Sequence, residues 1–271
     1  MQGWSHIIPT QRKIEYLNAL LKVRFDTLDF GSFVSAKAIP QMADTREVIN
    51  GLDLNNTQTK LLAIIANQRG AEEAVKHNAI HYLGFPFSIS ETFQLRNTNS
   101  TINDSISTVN AILELCDRNN KELVVYLSMG FGNPYGDPYD ESVVIHWTEW
   151  MVKAGIKTIS IADTVGLAEP SLISSVLKSV IPAFPGVEIG VHLHSSQDNR
   201  KQKLEAAFEA GCARFDGAIK GIGGCPMAGD KLIGNMDTEF MVNYFKDAGI
   251  GLDLDSKQLE ACSLLASKVF V

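Results

Sequence analysis

Seven short and almost continuously apolar runs, separated by helical patterns, are the feature that most constrains this 271-residue chain. Runs of this kind are typical of parallel strands that helices cover on both faces. The runs span 26–32, 60–67, 79–86, 122–130, 158–164, 188–195 and 214–220. The helical patterns span 10–24, 70–77, 105–118, 141–154, 171–183, 199–210, 238–248 and 256–270. The alternation predicts an α/β protein with one parallel sheet.

Two architectures have this alternation, the doubly wound sheet and the (β/α)8 TIM barrel. No GxGxxG motif follows the first apolar run, so the dinucleotide-binding fold loses its usual support. A barrel needs eight strands, and the chain begins with the loop and helix that normally follow a first strand. We therefore expect a single TIM-barrel catalytic domain over 1–271 that lacks its first strand in the sequence as printed, which would leave two sheet edges unpaired.

Composition excludes several function classes. The chain is 45% hydrophobic and 20% charged, as in globular proteins, and no apolar run is long enough to span a bilayer. A formal net charge of −7 argues against nucleic acid or an anionic membrane as a partner. Four widely spaced cysteines without a CxxC motif, and the lack of a secretory signal pattern, favour reduced thiols and a cytoplasmic location.

Polar residues close most of the apolar runs, which is where a TIM barrel places its chemistry. Taken singly, each residue is better explained as a cap or a loop residue, but the recurrence on most strands favours an active site at this rim. The residues are Asp29, Ser32, Asn67, Ser128, Asp163, Thr164, His192, His194, Asp216 and Lys220.

Two histidines stand two residues apart in the run 188–195. Side chains at i and i+2 of a strand share a face, so His192 and His194 are either a pair of metal ligands or a solvent-facing pair, and the stretch alone leaves both open. Asn235 precedes the helix at 238–248, with Asp237 available as its N-cap. Its amide could cap the helix or bind a hard cation.

A glycine-rich segment, "KGIGGCPMAGDKLIGN", follows the last run at 220–235. It predicts a flexible loop that carries Cys225 at the mouth of the barrel. An exposed thiol in this setting can act as an acid, a base or a nucleophile. The other cysteines, Cys116, Cys212 and Cys262, fall in helical patterns and are expected to be buried.

The stretches "SFVSAKAIPQMADTREV", "ADTVG", "VHLH" and "GIGGCPMAGDKLIGNMDTE", in this order, resemble those of 3-hydroxy-3-methylglutaryl-CoA (HMG-CoA) lyases, a family of DRE-TIM metallolyases. The resemblance runs along the whole chain, and the GxGGCP loop followed by Gly-Asn is specific within that superfamily. It implies cleavage of HMG-CoA, an acyl-CoA substrate, to acetoacetate and acetyl-CoA in leucine degradation, and it leaves a homodimer open.

The resemblance also implies a site. Its divalent cation, Mg²⁺ or Mn²⁺, would be held by His192, His194 and Asn235, with His192 also counted among the catalytic residues. Cys225 would protonate the departing acetyl-CoA carbanion, and the family's acidic catalytic positions match Asp29, a shorter replacement for glutamate, and Asp163. The chemistry agrees, because a divalent ion supplies Lewis acidity and a thiol on a closing loop can donate a proton.

One departure from the family is large. The Arg-Asp pair that ends strand one, which supplies a metal ligand and a cation for the enolate, should fall immediately before Met1 and is not in the printed sequence. A smaller departure is Asn133, where lyases often carry cysteine. Two alternatives therefore stay open: another Claisen-type synthase or aldolase of the superfamily, and a non-catalytic barrel that has lost the Arg-Asp pair.

Overall fold

The computed structural model describes residues 1–224 and 233–271. Its strands are β1 Thr27–Ser32, β2 Lys60–Ile64, β3 Ile80–Ser88, β4 Glu122–Ser128, β5 Thr158–Ala162, β6 Glu188–His192 and β7 Arg214–Asp216. Its α-helices are α1 Thr10–Leu21, α2 Thr45–Asn50, α3 Gln68–Ala74, α4 Glu91–Thr98, α5 Ile102–Arg118, α6 Glu141–Ala154, α7 Pro170–Ala183, α8 Arg200–Glu209, α9 Thr238–Asp247 and α10 Ser256–Val269.

The sheet is parallel throughout and its strands lie side by side in chain order from β1 to β7. The strands curl into an incomplete barrel, and the predicted α/β barrel fold is confirmed. Within the described ranges, β1 and β7 each pair on one side only, as expected from seven strands. Since all strands run the same way, their carboxyl ends meet at one rim of the barrel.

Burial explains why the strands read as apolar runs. Strand β5 is buried at all five of its residues, because helices cover one face and the barrel interior the other. Phe85 and Phe87 in β3 are at most 1% exposed and belong to the largest side chains of the core. The core therefore forms a continuous scaffold beneath the rim.

Several boundaries differ from those expected. The predicted strand 214–220 ends at Asp216, since the chain turns into a short 3-10 helix in which Lys220 has a φ of 56°. The predicted strand 188–195 ends at His192. Helices α2 and α4 were not expected, because each is short and follows a strand within what reads as a loop. Periodicity is weak over so few residues.

The helical layer continues where the sheet is open. Helices α1 and α10 pack together, and the ring of Tyr16 lies edge-on to that of Phe270 with centroids 5.6 Å apart. The Trp4 ring packs against the same Phe270 ring, with centroids 5.4 Å apart. Among the described residues, none of the helices has the length and apolar character that crossing a bilayer requires.

The described cysteines are buried, as expected: Cys116 is 1% exposed, Cys212 2% and Cys262 0%. Cys212 lies between α8 and β7, and not in the helix that was expected to contain it. Burial raises the pKa of Cys116 and of Cys212 to about 12 and that of Cys262 to about 11. Thiols with such pKa values are inert at neutral pH.

Candidate active site

The carboxyl-terminal rim of the barrel carries several of the polar side chains that the sequence singled out, whereas the Lys220 ammonium bonds to Ser267 in α10. Asp29 lies in β1, Asp163 directly follows β5, His192 ends β6 and Asp216 ends β7. Asn67 lies at the same rim, but its Oδ1 accepts a hydrogen bond from the Gly70 amide at 2.9 Å and caps α3. Asn67 is therefore a cap, the ordinary alternative considered for each of these residues.

His194 is the most strongly constrained of these side chains. It is 3% exposed, and its Nδ1 lies 2.9 Å from the carbonyl oxygen of Thr164. A carbonyl only accepts, so Nδ1 carries the proton and Nε2 keeps its lone pair. Burial, together with the neighbouring His192, lowers the pKa of His194 to about 4. His194 is therefore neutral at physiological pH, the state in which imidazole binds metals.

His192 lies beside His194, with ring centroids 5.3 Å apart. Its Nδ1 is buried without a hydrogen bond and lies 3.5 Å from Asp216 Oδ2, a distance suited to charge attraction. Burial alone would lower the pKa of His192, but Asp216 and other nearby carboxylates raise it. Ser160 Oγ donates to the same Asp216 oxygen at 2.9 Å. The Asp216 carboxylate thus faces the Nδ1 side of the His192 ring and orients it.

Asn235 lies against His194 through both its backbone and its side chain. It forms an isolated antiparallel bridge with His194, and its side chain lies next to the imidazole ring. Its Nδ2 donates to the Ile222 carbonyl at 3.1 Å, which leaves Oδ1 as the available acceptor. Asp237 caps α9 instead, by accepting from the Phe240 amide. The capping alternative for Asn235 is therefore not realised.

The glycines before the loop are required by this packing. A Cβ at Gly223, where φ is +115°, would lie 2.6 Å from Asn235 Nδ2. A Cβ at Gly221 would lie 2.9 Å from the Asn235 carbonyl oxygen, again at positive φ. Other residues rarely adopt such φ values and would displace Asn235. The glycine segment therefore positions this amide, besides allowing a turn.

Asp29 presents its carboxylate to the barrel interior and is exposed there, although protein surrounds it on most sides. Desolvation raises its pKa to about 6, against the opposing effects of the Met1 amino group, the Gly31 amide and His192. A carboxyl group with this pKa is ionised at neutral pH and remains a useful base. The catalytic role expected of Asp29 from the sequence stays a prediction.

Asp163 is held differently. Its Oδ2 pairs with Lys203 Nζ at 2.6 Å, and its Oδ1 accepts from the Ala168 amide at 3.0 Å. Both charged residues are 2% exposed. Burial raises the pKa of Asp163, and the Lys203 ammonium opposes that rise. Sequence reasoning missed Lys203, because a lysine in a polar helix ordinarily points to solvent.

Cys225 lies outside the described residues, in the interval 225–232, so its predicted role stays a prediction. The described chain reaches Gly224 on one side and resumes at Ile233 on the other. Ile233 packs over Gly166, where an added Cβ would lie 2.6 Å from its side chain. Ile233, the first described residue after the interval, therefore lies against the loop that follows Asp163.

The donor set can be compared with what a metal needs. Within residues 1–224 and 233–271, no three His, Cys, Asp or Glu side chains converge as a complete site. The His192 and His194 rings lie side by side, and the Asn235 side chain lies within hydrogen-bond reach of the His194 ring, so two imidazoles and one amide are close together. This set could hold a divalent cation that takes its other ligands from oxygen, such as Mg²⁺ or Mn²⁺.

Known proteins are similar to this chain over almost its whole length. The hydroxymethylglutaryl-CoA lyase of Bacillus subtilis is 30% identical over 93% of this chain and 83% of the relative. The mitochondrial hydroxymethylglutaryl-CoA lyase of Macaca fascicularis is 31% identical over 96% of this chain and 80% of its own length. The solved structure of an HMG-CoA lyase from Acinetobacter baumannii, with coenzyme A and 3-methylmalate, superposes with a TM-score of 0.91.

That structure is 30% identical to this protein and covers 99% of it and 87% of the solved chain. A family model described as HMGL-like matches residues 1–265. With this match over almost its entire length, the chain belongs to the HMGL-like family.

Proposed function

We propose that this protein is a divalent-metal-dependent lyase that cleaves HMG-CoA to acetoacetate and acetyl-CoA. The observation that carries the proposal is the convergence of His192, His194 and Asn235 at the carboxyl rim of the barrel. Relatives named as HMG-CoA lyases at about 30% identity support it, as does the coenzyme A bound in a similar structure. An acyl-CoA is therefore the expected class of substrate.

The bound cation would supply Lewis acidity toward the substrate oxygens. His194 is suited to hold it because Thr164 fixes the ring with Nε2 unprotonated. Asp216 faces the other ring nitrogen of His192, an arrangement that strengthens a ligating histidine. Asn235 adds an oxygen, which suits a hard ion and leaves other positions to the substrate.

Asp29 is our candidate for taking the proton from the tertiary hydroxyl of HMG-CoA. It projects into the barrel interior, and its pKa of about 6 makes it an ionised and still basic carboxylate near neutral pH. Loss of this proton lets the electrons of the oxygen form a carbonyl as the neighbouring C–C bond breaks. The products of that step are acetoacetate and the enolate of acetyl-CoA.

Cys225 is our candidate for protonating that enolate at carbon. The flanking Gly223 and Gly224 both have positive φ, so the segment leading to Cys225 adopts a conformation that suits glycine. A thiol is a weaker acid than a carboxylic acid, so it stays protonated until a strongly basic carbon approaches. Cys225→Ser should therefore retain metal binding and lose turnover.

Asp163 is the catalytic candidate whose role we assign to positioning. Lys203 and the Ala168 amide occupy its two oxygens, so it cannot exchange a proton with substrate without breaking a buried ion pair. This residue holds the loop after β5, whose Thr164 carbonyl orients His194. Catalysis would depend on it through that loop.

The proposal is tested by measuring acetoacetate release from HMG-CoA by the full-length protein, with Mg²⁺ or Mn²⁺ and with a chelator. Turnover should require the cation, and His194→Ala should reduce it by about 10²-fold or more. His146→Ala is a matched control, because that histidine is exposed on α6. Metal-independent cleavage, or full activity of His194→Ala, would refute the proposal.

A Claisen-type synthase and a non-catalytic barrel are less well supported. The similar proteins described above are named as lyases, and a scaffold needs no neutral histidine held beside an amide. The same preparation can be given acetyl-CoA and a 2-oxo acid, and free coenzyme A measured. Release of coenzyme A without cleavage of HMG-CoA would favour the synthase.

We further propose that 1–271 acts as one catalytic domain in the cytoplasm, within leucine degradation. The continuous sheet supports a single domain, because consecutive strands pair from β1 to β7 without interruption. A homodimer is a further proposal, to be tested by light scattering of the purified protein. A monomer across the working concentration range would contradict it.

A further inference from the structure

Lys203 is a fully buried lysine at the active-site end of the barrel. It lies in α8, is 2% exposed, and reaches three oxygen atoms with its ammonium group. The acceptors are Asp163 Oδ2 at 2.6 Å, the His194 carbonyl at 2.9 Å and the Gly166 carbonyl at 3.1 Å. An ammonium has three N–H donors, so Lys203 uses all of them.

These three acceptors come from two separate loops, so Lys203 connects the two loops. Asp163 and Gly166 belong to the loop 163–168 that follows β5, and His194 belongs to the segment that follows β6. The loop is also closed internally, since Asp163 accepts from Ala168 and the Gly166 amide donates to the Asp163 carbonyl. Lys203 adds a buried side-chain connection between this closed loop and the histidine segment, beside the Asp163 amide, which donates to the His192 carbonyl at 2.9 Å.

The same loop determines the protonation pattern of the His194 ring. The carbonyl that accepts from Nδ1 belongs to Thr164, the residue next to Asp163. A shift of the loop would move that acceptor, and the ring could then rotate or carry its proton on Nε2. A proton on Nε2 would occupy the lone pair that a metal needs.

We propose that Lys203 is a positioning residue that holds the loop 163–168 against His194 and so keeps His194 Nε2 unprotonated and aimed at the cation. The proposal rests on the metal-dependent function given above. It assigns the buried charge a role in metal affinity, in addition to its contribution to stability. The cation itself need not contact Lys203.

The wild-type protein provides the first test, by ¹⁵N NMR of the metal-free chain. His194 should show a protonated Nδ1 and an unprotonated Nε2. The Lys203 ammonium should give a slowly exchanging signal, because it is buried with three acceptors. A His194 ring protonated on Nε2, or a rapidly exchanging Lys203 ammonium, would overturn the proposal without any variant.

Variants provide the second test, with Mn²⁺ affinity measured by calorimetry. Lys203→Met should weaken Mn²⁺ binding by about 10–100-fold, the usual effect of losing support behind a ligand. It also leaves Asp163 buried without its counter-ion. The double variant Lys203→Met with Asp163→Asn removes that uncompensated charge and should recover thermal stability, while its Mn²⁺ affinity stays low.

Lys201→Met is the matched control, because this lysine lies in the same helix in an exposed pair with Glu205. It should bind Mn²⁺ as the wild type does. If the double variant recovers Mn²⁺ affinity together with stability, Lys203 acts only by neutralising Asp163 and the proposal is wrong. Wild-type affinity in Lys203→Met would also overturn it.

These outcomes separate the inference from the proposed function. A protein that fails to cleave HMG-CoA, yet binds Mn²⁺ in a manner that depends on Lys203, would contradict the function and support the inference. A protein that cleaves HMG-CoA, while the double variant binds Mn²⁺ as tightly as the wild type, would support the function and contradict the inference.

Discussion

Replacing His194 with glutamine should change how the stability of the metal-free protein depends on pH. His194 is 3% exposed, and burial lowers its pKa to about 4 from an ordinary value of about 6.5. The unfolded chain therefore binds a proton at this residue at a higher pH than the folded chain does. Stability from the neutral ring is complete above about pH 6.5 and is lost as pH falls toward about 4.

The magnitude follows from the shift. One pKa unit corresponds to about 1.4 kcal/mol, so a shift of about 2.5 units is worth about 3.5 kcal/mol in full. Between about pH 7.5 and about pH 4.5, about 2.5 kcal/mol of it should be lost, because the folded state begins to take up the proton only near pH 4. Glutamine removes this loss because its amide does not titrate.

The assay is urea unfolding at a series of pH values in the presence of a chelator, comparing the wild type with His194→Gln. The free energies of unfolding of the two proteins should converge by about 2–3 kcal/mol as pH falls across that range. Leu193→Val is the matched control. It lies beside His194, is 1% exposed, and should lower stability by about 1 kcal/mol equally at every pH.

Parallel pH profiles for the wild type and His194→Gln would refute the reasoning. They would mean that His194 titrates alike in the folded and unfolded chains. The ring would then not be held as a buried neutral group, and the basis for its unprotonated Nε2 would be lost.

Gly223→Ala should weaken Mn²⁺ binding about tenfold or more, because the new methyl group would displace Asn235. Gly186→Ala is the control and should leave Mn²⁺ binding unchanged, because there is open space at its Cβ position. Equal affinities in these two variants by calorimetry would show that the position of Asn235 does not matter. Asp216→Asn should weaken Mn²⁺ binding about 10–100-fold with an unchanged circular dichroism spectrum, because it removes the carboxylate behind His192. Unchanged affinity would show that this carboxylate does not support the ligand.

Most of the barrel could be predicted from sequence because its strands are covered on both faces. Burial on both faces requires nearly every residue of β5 to be apolar, and such runs are easily recognised. The same logic could not locate α2 or α4, since each is too short for a reliable period. It also extended the strand at 214–220 past Asp216, where the strand ends, since apolar residues continue there.

The candidate site was predictable where its chemistry is carried by unusual residues in a strand. His192 and His194 stand out against an apolar run, and the structure places their rings side by side. Lys203 was not predictable, because its burial depends on a carboxylate forty positions away in the chain and on two carbonyl groups. Backbone acceptors leave no signature in a sequence.

Asp163 also shows what sequence-based prediction cannot find. Its place at the end of a strand indicated a functional residue, but only the structure shows that both of its oxygens are already bonded. A carboxylate that is free and one that is paired look alike in the sequence. Our proposal that Asp163 acts by positioning and not by proton transfer therefore rests on these two contacts.

The central claim is that His192, His194 and Asn235 hold a divalent cation, and electron spin-echo spectroscopy of the Mn²⁺ complex tests it most directly. The spectrum of the full-length protein should show coupling to two imidazole nitrogens, and one coupling should disappear in each of His192→Ala and His194→Ala. A Mn²⁺ complex without imidazole coupling, or with coupling that survives both substitutions, would contradict the claim.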